Sequence, residues 1–202
     1  MKIAIVGLGG IGSHLARFIA ENNVIKGIDG LDNEYVAIDF DKVEEKNLRY
    51  TTFTPNDLEK SKTKVISDRF GLSYLTTKIN KENYQKILKD FSIVVMCVDN
   101  SEVRRLVSQI GKPIIDIRAK GSAIAIYQLV DFKDDKFIEN YLNTLNTKED
   151  TDSCQYEIDL NSGFVQFGML IASSIGFQLM VSLTRDLVRE KELKNKSFVW
   201  SF

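Results

Sequence analysis

Cysteine, proline and histidine are scarce in this chain of 202 residues, which has two Cys, two Pro and one His. Cys97 and Cys154 are too few for the disulfide framework of a small secreted domain, so we expect a protein of the reducing cytoplasm. Two thiols and the single His14 also cannot supply the four-thiolate site that is common in structural zinc modules. We therefore expect no bound zinc.

Long apolar runs and a strong net charge are absent as well. The longest apolar candidate, residues 164–181, is interrupted by glutamine, serine and glycine, and no stretch approaches the roughly 18 residues that cross a bilayer. The opening residues 1–6 are too short for the core of a signal peptide. The formal charge of −1 gives no global attraction to nucleic acid or to an anionic membrane, so we expect neither as a partner.

Short apolar, β-branched runs alternate with segments of helical spacing along the chain. We predict strands at 2–6, 35–39, 74–79, 93–98, 113–117, 123–130 and 196–200, and helices at 11–19, 60–70, 81–88, 101–110 and 164–190. Residues 41–59 are predicted to form a loop. The charged residues 131–160 are predicted to form a partly helical, mobile crossover. This alternation favours an α/β fold, a Rossmann-like, doubly wound and mostly parallel sheet with helices on both faces. We expect a single domain over residues 1–202.

Gly7, Gly9, Gly10 and Gly12 form a GxGGxG pattern between the first predicted strand and the first predicted helix. Gly7 permits a tight turn, Gly9 lets backbone approach a phosphate, and Gly12 lets the helix pack on the strand. The free amides of the helix N-terminus favour an anion there. Asp39, at the end of the second strand, is suited to accept a hydrogen bond from a ribose hydroxyl. The pattern predicts a nucleotide site rather than mere turn glycines, but does not distinguish NAD from ATP.

Four further motifs follow the glycine loop in a fixed order. Asp39 and Asp41 belong to Asp-x-Asp-x-Val, residues 47–50 read Asn-Leu-Arg-Tyr, Lys62 comes next, and residues 99–104 read Asp-Asn-x-x-x-Arg. With these motifs in this order, the sequence resembles the ThiF/MoeB family of adenylating enzymes, which includes the ubiquitin-activating type. The resemblance runs from residue 1 to about 121 and, more weakly, over 154–181. It implies that the loop binds ATP with Mg²⁺ rather than a nicotinamide dinucleotide.

The resemblance also implies a role for each side chain of these motifs. Asp39 would hold the ribose, while Asn47, Arg49 and Lys62 would contact the phosphates. Asp99 would bind Mg²⁺, which prefers carboxylate and phosphate oxygens. Arg49, Lys62 and Asp99 are thus the expected catalytic groups. The implied nucleotide-binding set is Gly7, Gly9, Gly10, Gly12, Asp39, Asp41, Asn47, Arg49, Lys62, Asp99 and Asn100.

The same residues allow simpler interpretations. Arg49 and Lys62 also fit a solvated charged loop, and Asp99 also fits a helix cap. Lys64 competes with Lys62 for the position of the family lysine. These alternatives remain open in the sequence.

Two positions depart from the family pattern. The family has one residue between the leucine and the arginine of the asparagine motif, whereas Leu48 and Arg49 are adjacent here, and Tyr50 replaces the usual glutamine. Either one residue has been deleted, or the arginine has been lost and Tyr50 occupies its place. Glu59 stands where a glycine usually precedes the lysine.

Cys154 lies in a region where several relatives carry a cysteine, either a zinc ligand or a thiol that accepts the activated carboxyl group. We retain it as a candidate nucleophile, against a structural or incidental thiol. Asp152 and Glu157 beside it do not favour the thiolate that such a role needs.

Other polar residues receive structural interpretations. His14 is expected either to have hydrogen-bond partners within the fold or to face solvent. Ser101 is the expected cap of the helix at 101–110. For Arg118 and Lys120 we slightly favour a charged strand edge over a position that faces the substrate.

Together these features predict an ATP- and Mg-dependent adenylyltransferase that activates a carboxyl group. By the resemblance, that group is the C-terminal glycine of a small ubiquitin-like or sulfur-carrier protein, and the enzyme is a homodimer. A NAD-dependent oxidoreductase is one alternative, but it gives no role to Asn47, Lys62 and Asp99 together. A non-catalytic relative that binds a nucleotide or only a partner is another. The altered spacing at residues 48–49, and a start directly on the first predicted strand without the family's N-terminal helix, favour this second alternative.

Overall fold

The computed structural model describes residues 1–22, 33–145 and 167–201, and the strands of these residues form one seven-stranded sheet. The strands are β1 (Lys2–Val6), β2 (Glu34–Asp39), β3 (Ser73–Thr76), β4 (Ile93–Met96), β5 (Ile114–Lys120), β6 (Ala123–Leu129) and β7 (Lys196–Trp200). The helices are α1 (Gly10–Glu21), α2 (Lys62–Phe70), α3 (Tyr84–Leu88), α4 (Ser101–Val107), α5 (Asp135–Asn143) and α6 (Gly168–Val188).

The strand order across the sheet is β3-β2-β1-β4-β5-β6-β7. The five strands from β3 to β5 pair in parallel, and β6 and β7 add antiparallel pairs at one edge. The order reverses between β1 and β4, and in such sheets a crevice opens at the carboxyl ends of the two strands. The predicted Rossmann-like, mostly parallel sheet is thus confirmed, and its reversal point carries the glycine loop.

Alternating side chains of the central strands bury themselves on opposite faces of the sheet. Ile3 and Ile5 of β1 pack in a cluster with residues of α1, α2 and α6, whereas Ala4 and Val6 pack in a second cluster with residues of α3, α4 and α5. Helices therefore cover both faces, as the continuous apolar runs of the buried strands predict.

Helix α6 packs closely against its neighbours because small residues face them. A Cβ atom at Gly176 would lie 2.2 Å from Cδ1 of Ile117, and one at Gly168 would lie 2.2 Å from the carbonyl oxygen of Gly121. Ser173 donates a hydrogen bond of 3.0 Å to the carbonyl oxygen of Ile11, which joins α6 to α1. The helix behind the glycine loop is thereby fixed on the sheet.

Three local expectations differ from the structure or lie partly outside the described residues. The N-cap of α4 is Asn100, whose side chain accepts a hydrogen bond of 2.9 Å from the amide of Val103, so the prediction that Ser101 caps this helix is wrong by one residue. Residues 41–59 form two short 3₁₀ helices, Glu45–Arg49 and Pro55–Asp57, within the predicted loop. The crossover predicted at 131–160 contains α5, and its part from 146 onward lies outside the described residues.

Candidate functional site

The glycine loop joins β1 to α1 and makes contacts that only glycine permits. Gly7 has φ of +91°, and a Cβ atom there would lie 2.9 Å from the backbone of Cys97. A Cβ atom at Gly12 would lie 1.9 Å from the carbonyl oxygen of Gly7. At Gly9 it would meet no heavy atom within 4 Å. The loop is therefore tight on its inner side and open over Gly9.

Asp39 ties this loop to the end of β2. Its Oδ2 accepts a hydrogen bond of 2.6 Å from the amide of Leu8, and its Oδ1 accepts one of 2.8 Å from the amide of Asp41. Burial raises the pKa of this carboxyl, while Lys62 and the two amide hydrogen bonds oppose the rise. The side chain thus shapes the loop as well as lining the cleft in which the sequence places a ribose.

Lys62, rather than Lys64, lines the cleft. The Nζ of Lys62 lies 3.1 Å from Oδ2 of Asp41, and its amide donates to the carbonyl oxygen of Asp41. Its side chain is only 8% exposed, whereas Lys64 is exposed and pairs with Asp68 one turn along α2. The geometry therefore separates two lysines that the sequence alone leaves in competition.

The asparagine motif forms the first 3₁₀ helix, which borders the same cleft. Asn47 is buried, its Oδ1 accepts from the amide of Glu44 at 2.9 Å, and its Nδ2 donates to the hydroxyl of Tyr50 at 3.4 Å. These contacts fix the amide with its donor end towards Tyr50. Arg49 is exposed and Tyr50 is buried, and both line the cleft, so both explanations of the altered motif remain open.

Asp99 lies beyond the end of β4, exposed at the opposite side of the glycine loop. It does not cap α4, because Asn100 has that role. Among the described residues, Asn100 uses its side-chain oxygen to cap α4, whereas Asp99 is exposed at the cleft.

A buried cluster of charges, which the sequence interpretation missed, lies behind Asp99. Oδ1 of Asp116 accepts a hydrogen bond of 3.0 Å from Arg104, and its Oδ2 accepts one of 2.8 Å from Arg118 and one of 3.1 Å from the hydroxyl of Tyr141. Arg118 lines the cleft and its side chain is 16% exposed, so the prediction of a charged strand edge is wrong for this residue. The available signal was the spacing of Asp116 and Arg118, which puts both on one face of β5.

The cleft has a volume of about 1160 Å³, which exceeds the ordinary range of about 300–1,000 Å³ for small-molecule sites. It brings together most of the predicted site residues; the lining includes Gly7, Gly9, Gly10, Asp39, Asp41, Asn47, Arg49, Lys62, Asp99 and Asn100. Gly12 does not line it and acts in helix packing. Cys154 lies outside the described residues.

In residues 1–22, 33–145 and 167–201, no group of three or more His, Cys, Asp or Glu side chains is arranged to hold a metal ion. In the same part of the chain, none of the helices has the length and apolar character needed to pass through a bilayer.

Comparison with known proteins identifies the family. The ThiF family profile matches residues 1–202, and the chain belongs to the ThiF family. A comparison with curated proteins finds no match.

Crystal structures of MccB from E. coli have a similar fold. Its complex with AMPCPP and MccA has a TM-score of 0.60 at 18% identity and is matched over 99% of this chain and 63% of MccB. Its complex with ATP has a TM-score of 0.58 at 19% identity, over 88% and 54%. Its complex with succinimide has a TM-score of 0.60 at 18% identity, over 99% and 63%. This chain thus spans less than two thirds of the MccB chains, and the likeness at this identity establishes the fold.

Proposed function

We propose that this protein is an adenylyltransferase that uses ATP to activate a carboxyl group. The observation that carries the proposal is the convergence of Asp39, Asn47, Lys62 and Asp99 on one cleft above the open backbone at Gly9. Membership of the ThiF family supports it, as does the similar fold of MccB, which was crystallised with ATP and with AMPCPP.

In the proposed reaction, a carboxylate oxygen attacks the α-phosphorus of ATP, and the bond from that phosphorus to the oxygen leading to the β-phosphate breaks. An acyl-adenylate forms and pyrophosphate leaves with the bonding electron pair, so no proton transfer is required. The chain's task is to orient the two reactants and to stabilise negative charge. Asp39 accepts from the ribose, the α1 amides face the phosphates, and Lys62, held by Asp41, offsets phosphate charge.

Asp99 suits a magnesium ion, because it is an exposed carboxylate beside the expected position of the phosphates. A magnesium ion bound there would neutralise charge on the departing pyrophosphate. Arg49 would add a second cation from the exposed side of the cleft.

The acceptor in this proposal is the C-terminal glycine of a ubiquitin-like or sulfur-carrier protein. The presence of MccA in one MccB complex supports a polypeptide partner more generally. A homodimer, a single domain over residues 1–202, a cytoplasmic location and a thioester at Cys154 belong to the same proposal.

A non-catalytic nucleotide-binding protein is the second candidate. It is favoured by the asparagine motif, in which Arg49 is exposed and Tyr50 occupies the buried position beside Asn47. In that case the cleft would still bind a nucleotide, but no acyl-adenylate would form.

Titration calorimetry with ATP and Mg²⁺ tests the nucleotide site. We expect Lys62→Ala to weaken ATP binding about tenfold or more, because it removes a buried cation from the cleft. The matched control, Lys64→Ala, removes an exposed lysine of the same helix and should leave the affinity unchanged. Equal effects of both variants, or binding of NADH in preference to ATP, would contradict the proposal.

Pyrophosphate–ATP exchange in the presence of candidate carrier proteins tests the chemistry. We expect exchange in the wild type, its loss in Asp99→Ala and its retention in Cys154→Ala, because the adenylate forms before any transfer to a thiol. Tight ATP binding without exchange, with a carrier shown to bind, would favour the non-catalytic candidate.

A further inference from the structure

The buried charge cluster contains two guanidinium groups and one carboxylate. Arg104 is 10% exposed, Arg118 is 16% exposed and Asp116 is fully buried, as judged from their side chains. Within residues 1–22, 33–145 and 167–201, Asp116 is the one carboxylate that contacts either arginine. Tyr141 adds no negative charge, because burial and the charge of Asp116 raise the pKa of its phenol well above the usual range. Counted over these described residues, the cluster therefore carries one positive charge in excess.

Arg118 is held rigidly at the wall of the cleft. Its guanidinium lies 4.7 Å from the ring centre of Tyr127 and 5.3 Å from that of Tyr141, at cation–π distances. Its Nε donates to Asp116, its Nη2 lies 2.6 Å from Oδ2 of the same carboxylate, and its Nη1 donates to the hydroxyl of Thr144, which also lines the cleft. A planar guanidinium fixed in this way is suited to bind an anion with defined geometry.

Arg104 has a different position and task. Its Nε donates a hydrogen bond to Oδ1 of Asp116, the oxygen that Arg118 does not contact. Its Nη2 donates to the carbonyl oxygen of Val98, just after β4. Arg104 thus positions Asp116, and through it Arg118, without needing to touch a ligand.

The cluster lies in the other half of the cleft from the proposed nucleotide site. Asp39 and Lys62 lie at or beside β2, whereas Arg118 lies two residues before the end of β5. In the sheet, β1 and β4 lie between β2 and β5. Neighbouring strands are about 4.8 Å apart, so β5 lies about 10 Å from the strand that precedes the glycine loop. A carboxylate substrate bound at β5 would therefore lie within reach of phosphates bound above the glycine loop.

We propose that Arg118 binds the carboxylate that the enzyme activates, with one carboxylate oxygen on the guanidinium and the other directed at the α-phosphorus. The inference rests on the proposed function, because it assigns the second substrate of that reaction to a place in the cleft. A carboxylate that approaches a triphosphate is repelled by it, and a cation bound to the carboxylate offsets this repulsion. The substrate class is an acyl group with a free carboxylate, such as the C-terminus of a polypeptide.

N-acetylglycine is a suitable probe, because it carries the carboxylate of a peptide C-terminus and little else, and N-acetylglycinamide is its neutral counterpart. NMR titration of the full chain saturated with AMPCPP and Mg²⁺ should show binding of the acid but not of the amide. We expect Arg118→Gln to weaken binding of the acid by about tenfold or more and to leave the affinity for AMPCPP within about twofold.

Arg105→Gln is the matched control, since it removes the same charge from α4 at a position outside the cleft lining. It should leave N-acetylglycine binding unchanged. If both variants weakened N-acetylglycine binding equally, the loss of overall positive charge would explain the effect, and the assignment to Arg118 would be overturned. Equal binding of the acid and the amide by the wild type would overturn it as well.

Arg118→Lys covers the case in which the glutamine variant fails to fold, which circular dichroism and thermal melting would reveal. Lysine keeps the charge but loses the planar fork, so we expect a few-fold weaker binding of N-acetylglycine, and an unchanged affinity would contradict the proposal.

AMPCPP binding is measured separately in each case. If the wild type binds no AMPCPP but still selects the acid through Arg118, the proposed function fails while the carboxylate site stands.

Discussion

A methyl group added at Gly9 would meet no heavy atom within 4 Å, whereas one added at Gly12 would lie 1.9 Å from the carbonyl oxygen of Gly7. Gly9 is the N-cap of α1 with an ordinary negative φ, so alanine fits its backbone. We expect Gly9→Ala to lower the free energy of unfolding by less than about 1 kcal/mol but to abolish ATP binding, because its methyl group takes the space of a phosphate. Urea denaturation and calorimetry measure the two effects.

Gly12→Ala is the contrasting variant. Here the methyl group collides with backbone, so we expect a loss of about 3 kcal/mol or more in the free energy of unfolding. If Gly9→Ala instead binds ATP as the wild type does, the phosphates do not pass over this residue and the assignment of the loop is wrong.

Arg118 illustrates what the sequence concealed at single positions. Its neighbours Ala119 and Gly121 give no sign of burial, and the tyrosines that enclose it come from β6 and α5. Only the tertiary fold brings Tyr127 and Tyr141 to the guanidinium. By contrast, the glycine loop was predictable because its conformational demands are local.

The turn between the second 3₁₀ helix and α2 contains a residue in an unusual conformation. Glu59 has φ of +62°, a left-handed conformation that costs about 1–2 kcal/mol for a residue with a Cβ atom. We expect Glu59→Gly to raise the free energy of unfolding by about 0.5–1 kcal/mol, since relief of this strain outweighs the extra freedom of glycine in the unfolded chain. Urea denaturation would measure the gain.

Glu59→Ala is the control for this turn. It removes the exposed ion pair with Lys42, which contributes little, but keeps the Cβ atom and its strain. A gain in the alanine variant equal to that in the glycine variant would show that the charge, and not the backbone, is responsible.

The secondary structure elements were more predictable than their contacts. Every strand from β1 to β7 overlaps a predicted strand. The central strands were predictable because they are short, apolar and β-branched, whereas β3 and β7 are exposed edge strands. The antiparallel pairing of β6 between β5 and β7 was not predicted, since strand periodicity does not encode partners. The 3₁₀ helices at Glu45–Arg49 and Pro55–Asp57 were missed because their hydrogen bonds depend on single side chains such as Asn47 and Asp57.

The whole cleft follows from the way in which the sheet reverses its order. The reversal between β1 and β4 puts the glycine loop at the centre, Asp39 and Lys62 on one side, and Asp99 and Arg118 on the other. In our proposal, one half of the cleft binds the nucleotide and the other half binds the carboxylate substrate. The order of motifs along the chain predicts the first half, whereas the second half depends on tertiary contacts.

The single histidine gives the molecule a defined response to acid. His14 is buried on α1, and its Nδ1 has no hydrogen-bond partner among the described residues. Burial and the charge of Arg17 lower the pKa of His14 from 6.5 to about 4, while a hydrogen bond with the backbone of Tyr50 opposes this. The unfolded chain therefore binds a proton between pH 6.5 and pH 4 that the folded chain does not.

Stability gained from the neutral imidazole is fully present above pH 6.5 and is lost as the pH falls towards 4. We expect the free energy of unfolding of the wild type to fall by about 2 kcal/mol more than that of His14→Gln over this interval. Urea denaturation at pH values of about 7.5, 6, 5 and 4 measures the difference. Carboxylates such as Asp39 titrate in both proteins, so they cancel when the profiles are subtracted. Parallel profiles would mean that His14 titrates normally in the folded state, and hence that water reaches the helix behind the glycine loop.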